Sequence, residues 1–174
     1  MGVTLEIVDY DPRWPAAFDA ERARLSTALG DRALRIEHNG STSVPGLAAK
    51  PIIDIQISVA ALTPLAPLIA PLAPLGYVHV PHADDACCPF LHRPASWPHT
   101  HHVHIVEAGG VEERRTLAFR DYLRAHPGTA REYEQLKRTL AAQTAADDPA
   151  AREAYANAKT AFIERIIRRA LRPA

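Results

Sequence analysis

The residues of this chain best suited to chemistry lie between His38 and Ile57. The segment reads His38-Asn39-Gly40-Ser41-Thr42-Ser43, passes through small turn-forming residues, and enters Ile52-Ile53-Asp54-Ile55-Gln56-Ile57. Successive side chains of a strand point to opposite faces, so Asp54 and Gln56 share one face and Ile53, Ile55 and Ile57 share the other. The aliphatic face belongs to a core. A carboxylate on such a strand is costly to desolvate unless it meets a metal, a donor or water in a cleft. Just ahead of it, Gly40 lets an anion approach the backbone, and Ser41, Thr42 and Ser43 offer hydroxyls at a short helix start. Together they make a phosphate-binding arrangement. Asp54, with Gln56 beside it, then suits a divalent ion, Mg²⁺ or Mn²⁺, that bridges those phosphates. The same residues admit a plain reading too, as a strand-to-helix turn with a serine cap and an Asp54–Arg pair.

A second constellation is Pro98-His99-Thr100-His101-His102-Val103-His104. His102 and His104, at i and i+2, face one way, as a metal-ligand or acid–base pair does. If their strand lies beside that of Asp54, all four polar residues line one cleft; the plain reading is half-buried histidines bonded to backbone or carboxylates. The vicinal Cys87 and Cys88 read as small semi-buried residues, and the two Trp and the Tyr stripe read as core. There is no Walker loop, GxGxxG, GxSxG or CxxC.

The elements that position these residues follow from periodicity. Asp11-Pro12 starts a helix whose stripe is Trp14, Phe18, Leu25 and Leu29, with Glu21 inside it and a stop at Gly30. Strands are expected over 5–10, 33–38, 52–59, 77–80, 88–92 and 100–107. One or two helical turns fit 43–49, and a helix fits 61–75 from its leucine spacing, despite Pro64, Pro67, Pro71 and Pro74. After Gly109-Gly110 come three amphipathic helices, roughly 111–125, 129–144 and 149–171. The class is α+β, a single unit over 1–174 with a mixed-sheet core at about 1–108 and a helical part at about 110–171.

Composition narrows the function. The 174 residues carry 20 basic and 20 acidic side chains, so no net field attracts nucleic acid or an anionic membrane. Seventeen of the basic residues are Arg and only three are Lys, which together with the many Ala reads as the codon bias of a GC-rich genome. Adjacent cysteines and no signal-like N-terminus point to a reducing cytoplasm. The longest apolar run is broken by four prolines and cannot span a membrane.

These motifs resemble the GrpB family of the nucleotidyltransferase superfamily. The matching pieces are Glu6 to Pro15, Ile36 to Ile55, His101 to Glu107, Leu117 to Arg124, Tyr133 to Lys137, and Tyr155 to Ile163 with Lys159. The resemblance implies a nucleotidyltransferase-like mixed sheet with flanking helices and a C-terminal helical part. In that superfamily a Gly-Ser turn holds a nucleotide triphosphate, and an acidic pair, often joined by a third carboxylate, binds divalent metal. Gly40, Ser41 and Asp54 match those positions. Gln56 stands where the second acid belongs, and His102 and His104 occupy the strand where a third might come. Family position and charge add Lys50, Arg93, Arg120 and Lys159 as phosphate or acceptor contacts. The implied function is binding of a nucleotide and a divalent metal, with transfer of a nucleotidyl or phosphoryl group to a small acceptor, Asp54 positioning the metal and His102 or His104 acting as base or replacement ligand. The alternatives are a non-catalytic binding module of the same fold, or a histidine-based group-transfer enzyme that does not use nucleotides.

Overall fold

A computed structural model describes residues 6–144 and 148–172. Five strands form one mixed sheet: β1 (Arg35–Asn39), β2 (Ile53–Val59), β3 (Val78–His79), β4 (Phe90–Arg93) and β5 (His101–Glu107). Their order is β1-β2-β5-β4-β3. The β2–β5 pair is parallel and the other three pairs are antiparallel.

Helix α1 (Trp14–Leu29) covers one face. Asp11 accepts from the backbone N–H of Arg13 at 2.8 Å just ahead of it, and the buried stripe is Trp14, Phe18, Glu21, Leu25 and Leu29. This stripe packs on Ile53, Ile55, Ile57, Val103, Ile105 and Leu91, which form the main core. Glu21 is tolerated there because Tyr77 donates to it at 3.0 Å, Arg93 at 3.1 Å and Arg24 at 2.7 Å. A buried carboxylate with three donors no longer bears an uncompensated desolvation cost.

The other face receives the C-terminal helices: α3 (Val111–Ala125), α4 (Pro127–Gln143), α5 (Pro149–Ala158) and α6 (Thr160–Ala170). Two buried charges pin α3 to the sheet. Glu113 accepts from Ser58, Arg35 and the Gly109 N–H, and Arg120 donates to Glu37 at 2.8 Å and to the His38 carbonyl at 3.0 Å. A second apolar cluster of Val44, Leu47, Leu123 and Tyr133, with Phe119, Leu136, Phe162 and Ile163 around it, ties the Gly-Ser turn to these helices.

Four expectations need correction. The prolines limit the 61–75 helix to one α turn, α2 (Ala66–Ile69), and a 3₁₀ stretch (Ala70–Leu75), because each removes a donor from the ladder. The strand expected at 5–10 is one bridge, Val8 to Ala49, and Leu5 lies outside the described residues. The turns expected over 43–49 reduce to a single 3₁₀ turn, Ser41–Ser43. The last helix divides at Lys159 into α5 and α6, with no Pro or Gly there to announce it. Among the described residues no helix is long and apolar enough to cross a membrane.

Candidate functional site

Register decides which side chains meet. Asn39 lies opposite Asp54, Asp54 opposite His102, and His102 opposite His92; in the next row Glu37, Gln56, His104 and Phe90 align. Directly paired residues share a face. The two constellations therefore stand together on the helix-covered side, away from α1.

Above them lies a cleft of about 520 Å³, walled by Ser41, Lys50, Asp54, His102, His104, Lys137, Tyr155 and Lys159, with Trp97, His99 and Arg152 towards its mouth. Lys50 comes from the loop before β2, Lys137 from α4, and Lys159 from the α5–α6 junction. These are all the lysines the chain has. The ammonium groups of Lys50 and Lys159 lie 4.4 and 4.3 Å from the centroid of the Tyr155 ring, in cation–π range. Lys137 is 2% exposed, donates to the Ala48 carbonyl, and sits 4.9 Å from the Tyr133 ring.

The electrostatics follow from this crowding. Burial, with Lys159 and Arg138 nearby and only Glu134 and Asp54 opposing, brings Lys137 down to about 7. Burial and Lys50 bring Lys159 down to about 8 against the pull of Asp54. Burial would raise the pKa of Asp54, but the hydrogen bond from His102 and the fields of His102, His104 and Lys159 outweigh it, and the carboxyl stays below its ordinary value. The Nδ1 of His102 is 3.4 Å from Asp54 Oδ1, and its Nε2 is 3.0 Å from His99 Nδ1. His104 Nδ1 lies 3.6 Å from Cys88 Sγ, and burial holds this imidazole neutral, down to about 4.

Gly40 fixes the wall behind Asp54. Its φ of 65° and ψ of −172° occupy a region open essentially to glycine alone. An added Cβ would fall onto Asp54 Oδ2 and lie 2.7 Å from Asp54 Cβ and Cγ.

Several expected site residues stand elsewhere. Thr42 is buried, donates to the Ile52 carbonyl at 3.2 Å and meets His38 at 3.0 Å, so its hydroxyl is structural. Ser43 donates to the Gly40 carbonyl at 2.6 Å. Only Ser41 of the three turns towards the cleft, and Tyr133 bonds to it. Arg93 projects to the α1 face, opposite His101 in register and bonded to Glu21, because it is one residue out of phase with His92. Arg120 is held by Glu37 and Asp121 over an adjoining cavity of about 420 Å³. Gln56 shares Asp54's face but is 0% exposed, with Oε1 accepting from Asn39 at 3.2 Å and from Thr116. Trp97, read from sequence as core, is half-buried at the cleft mouth, and Cys87 is exposed.

The cleft offers few donors to a divalent ion. Asp54 is the one carboxylate the sheet brings to the cleft, while Glu153 stands at the exposed rim. Both nitrogens of His102 are engaged and Gln56 is sealed. Among the described residues no group of three or more His, Cys, Asp or Glu is arranged to hold a metal. Mg²⁺ and ions like it keep several waters and take one or two carboxylates together with substrate phosphates, so Asp54 alone does not fit a hard cation held by the protein without a ligand.

A family model described as GrpB protein matches residues 4–169. The chain belongs to the GrpB family. The UPF0157 protein BH1888 of Halalkalibacterium halodurans is 38% identical over 168 residues, covering 96% of this chain and 83% of that protein. The crystal structure of conserved protein GrpB from Enterococcus faecalis matches with a TM-score of 0.84 at 36% identity, over 95% of this chain and 97% of the other. The Cid1 poly(U) polymerase matches with a TM-score of 0.50 at 15% identity, over 78% of this chain and 42% of the polymerase. That last likeness is one of fold: this GrpB chain has a nucleotidyltransferase-like sheet.

Sequence reasoning missed Lys137, Tyr155, His99 and Trp97 as cleft residues. One signal was present. In a chain that uses Arg for seventeen of its twenty basic positions, the three lysines are the exceptions, and all three line the cleft that holds Asp54.

Proposed function

We propose that this cleft binds the phosphate groups of a nucleotide or a similar small phosphate ester. The observation behind it is the convergence of Lys50, Lys137 and Lys159 with Ser41 on a nucleotidyltransferase-like sheet. Compact ammonium groups are point-charge partners for phosphate, and the serine hydroxyl adds a donor. Transfer of a nucleotidyl or phosphoryl group to a small acceptor is the chemistry this reading extends to, with His102 as the base once the acceptor takes the place of His99 at its Nε2. His102 suits that role because Asp54 orients one of its nitrogens.

A second reading, histidine acid–base chemistry without a nucleotide, has one observation in its favour: the line Asp54–His102–His99, with contacts of 3.4 and 3.0 Å. In that case phosphates are not the ligand.

Thermal denaturation separates the two. ATP and inorganic triphosphate at about a hundred times their Kd should raise Tm by about 5 °C or more, and adenosine should not. The effect should also fade with rising pH. Lys137 and Lys159 carry their charge below about 7 and about 8 and lose it above. Affinity that needs the charged forms is therefore complete on the acid side and lost as pH rises through these values. We expect binding at least about tenfold weaker at pH 9 than at pH 7. Equal shifts by adenosine and ATP, or affinity that grows with pH, would reject phosphate recognition.

A further inference from the structure

Nucleotidyltransferase-like sites are expected to handle phosphate charge with carboxylate-bound metal, and this chain departs from that scheme in two independent ways. The second acidic position is Gln56, fully buried beneath Thr116 and Asn39, so Asp54 stands alone on the floor. In the same cleft, positive charge comes from the protein instead: three ammonium groups from three separate segments surround that floor. Two of them are fixed against one Tyr155 ring, and the third is fixed by the Ala48 carbonyl.

The choice of lysine points the same way. Charge alone is supplied by Arg at seventeen other positions of this chain. A guanidinium is broad and planar, whereas an ammonium is a compact point charge that fits a confined, partly desolvated position. Lys137, at 2% exposure and bonded to the Ala48 carbonyl, holds such a confined position. All of the chain's lysines stand where a small cation next to phosphate oxygens is useful.

We infer that in this protein the lysine trio takes the place of the divalent metal, so that a phosphate-bearing ligand is held by Lys50, Lys137 and Lys159 directly and binds without any metal ion. This rests on the phosphate reading above and goes a step beyond it. Asp54 then has a different part. It is the partner of His102, already balanced by protein cations, and its negative charge faces the incoming phosphates rather than a metal.

The two arrangements predict opposite signs for one substitution. Where Asp54 ligates a metal, Asp54→Asn removes the ligand and weakens nucleotide binding. Where it only faces phosphates, the same change removes a repulsion and tightens binding, by about threefold or more at the effective dielectric of a partly buried site.

The experiment is isothermal titration of inorganic triphosphate and of ATP into protein stripped with EDTA and dialysed into metal-free buffer, repeated with excess Mg²⁺. Wild type, Asp54→Asn and Lys159→Met are compared, each checked for an unchanged circular dichroism spectrum. Lys137→Met is a second lysine variant should Lys159→Met fail to fold. We expect Kd to change less than about threefold between metal-free and Mg²⁺ conditions, Asp54→Asn to bind tighter, and the lysine variants to bind at least about tenfold weaker. Binding that requires Mg²⁺, or is weakened by Asp54→Asn, overturns the metal-free assignment and leaves the phosphate cleft standing. No binding of either probe under both conditions overturns the assignment and the phosphate reading together.

Discussion

Replacing Gly40 with alanine should unfold or badly loosen this protein, at a cost of about 3 kcal/mol or more. Two independent penalties meet at this residue. The backbone, at φ 65° and ψ −172°, lies where an L side chain is strained. The new methyl would also strike Asp54, with Cβ and Cγ each only 2.7 Å away. Rotating Asp54 cannot relieve a collision that includes its own Cβ, so β2 or the turn has to move. Movement there disturbs the Ser43–Gly40 and Thr42–Ile52 hydrogen bonds, which hold the turn against the sheet. Chemical denaturation should show the midpoint falling sharply, and any folded remainder should have lost triphosphate binding. A Gly40→Ala protein with wild-type stability would mean that the close approach of this turn to Asp54 is not a feature of the native state.

Mild acid should unfold the protein cooperatively. His38, His99, His101 and His104 are each held down to about 4, in every case chiefly by burial. Neighbouring charge adds to it: Arg124 and Arg120 at His38, Arg93 at His101, His92 at His99, and His102 at His104. Aspartates oppose it at His38 and His104, and Glu21 at His101. Because the folded values are depressed below the ordinary 6.5, the unfolded chain binds protons between pH 6.5 and 4 that the folded chain does not. Stability therefore falls as pH drops through that window. Discounted for solvent screening at the partly exposed rings, each histidine accounts for about 1 kcal/mol, and the group withdraws a substantial part of a typical folding free energy of about 5–15 kcal/mol. The carboxyls of Asp54 and Glu113, held below their ordinary values, withdraw further stability as they protonate at still lower pH. Far-ultraviolet circular dichroism across pH 7 to 3.5 should show a single transition centred near pH 5. A chain still fully folded at pH 4 would mean that these buried and half-buried histidines are not held at depressed values.

What the sequence disclosed was whatever depends on short-range alternation. The i, i+2 spacing of Asp54–Gln56 and of His102–His104 was enough to place each pair on one face, and parallel pairing of β2 with β5 then set Asp54 opposite His102 and Gln56 opposite His104. The α1 stripe was legible for the same reason, including Glu21, two of whose three partners came from positions 77 and 93, beyond the reach of any local pattern. Depth was not legible. Alternation assigns Gln56 a side but not a burial, and α3 covers it from sixty residues away through Thr116. Arg93 failed because a one-residue change of phase moves a strand side chain to the opposite face. Tyr155 was hidden because helical periodicity reads a buried stripe as core, and Lys137 because a lone lysine on a helix carries no local signal of burial. Lys159 was reached through family position, but the break between α5 and α6 that sets it at the cleft has no local sequence signal.

Phosphate recognition at the lysine cleft has a built-in reporter. Of the two tryptophans, Trp14 is sealed in the α1 core and Trp97 stands at the cleft mouth, with Lys50 and Arg152 near its ring. Titration of inorganic triphosphate against tryptophan fluorescence, with Trp97→Phe to assign the signal, reads the cleft directly. The account predicts a saturable change in the wild type that is absent in Trp97→Phe and shifted at least about tenfold to higher concentration in Lys159→Met. A titration with no saturable change, or one that Lys159→Met leaves where it was, would contradict it.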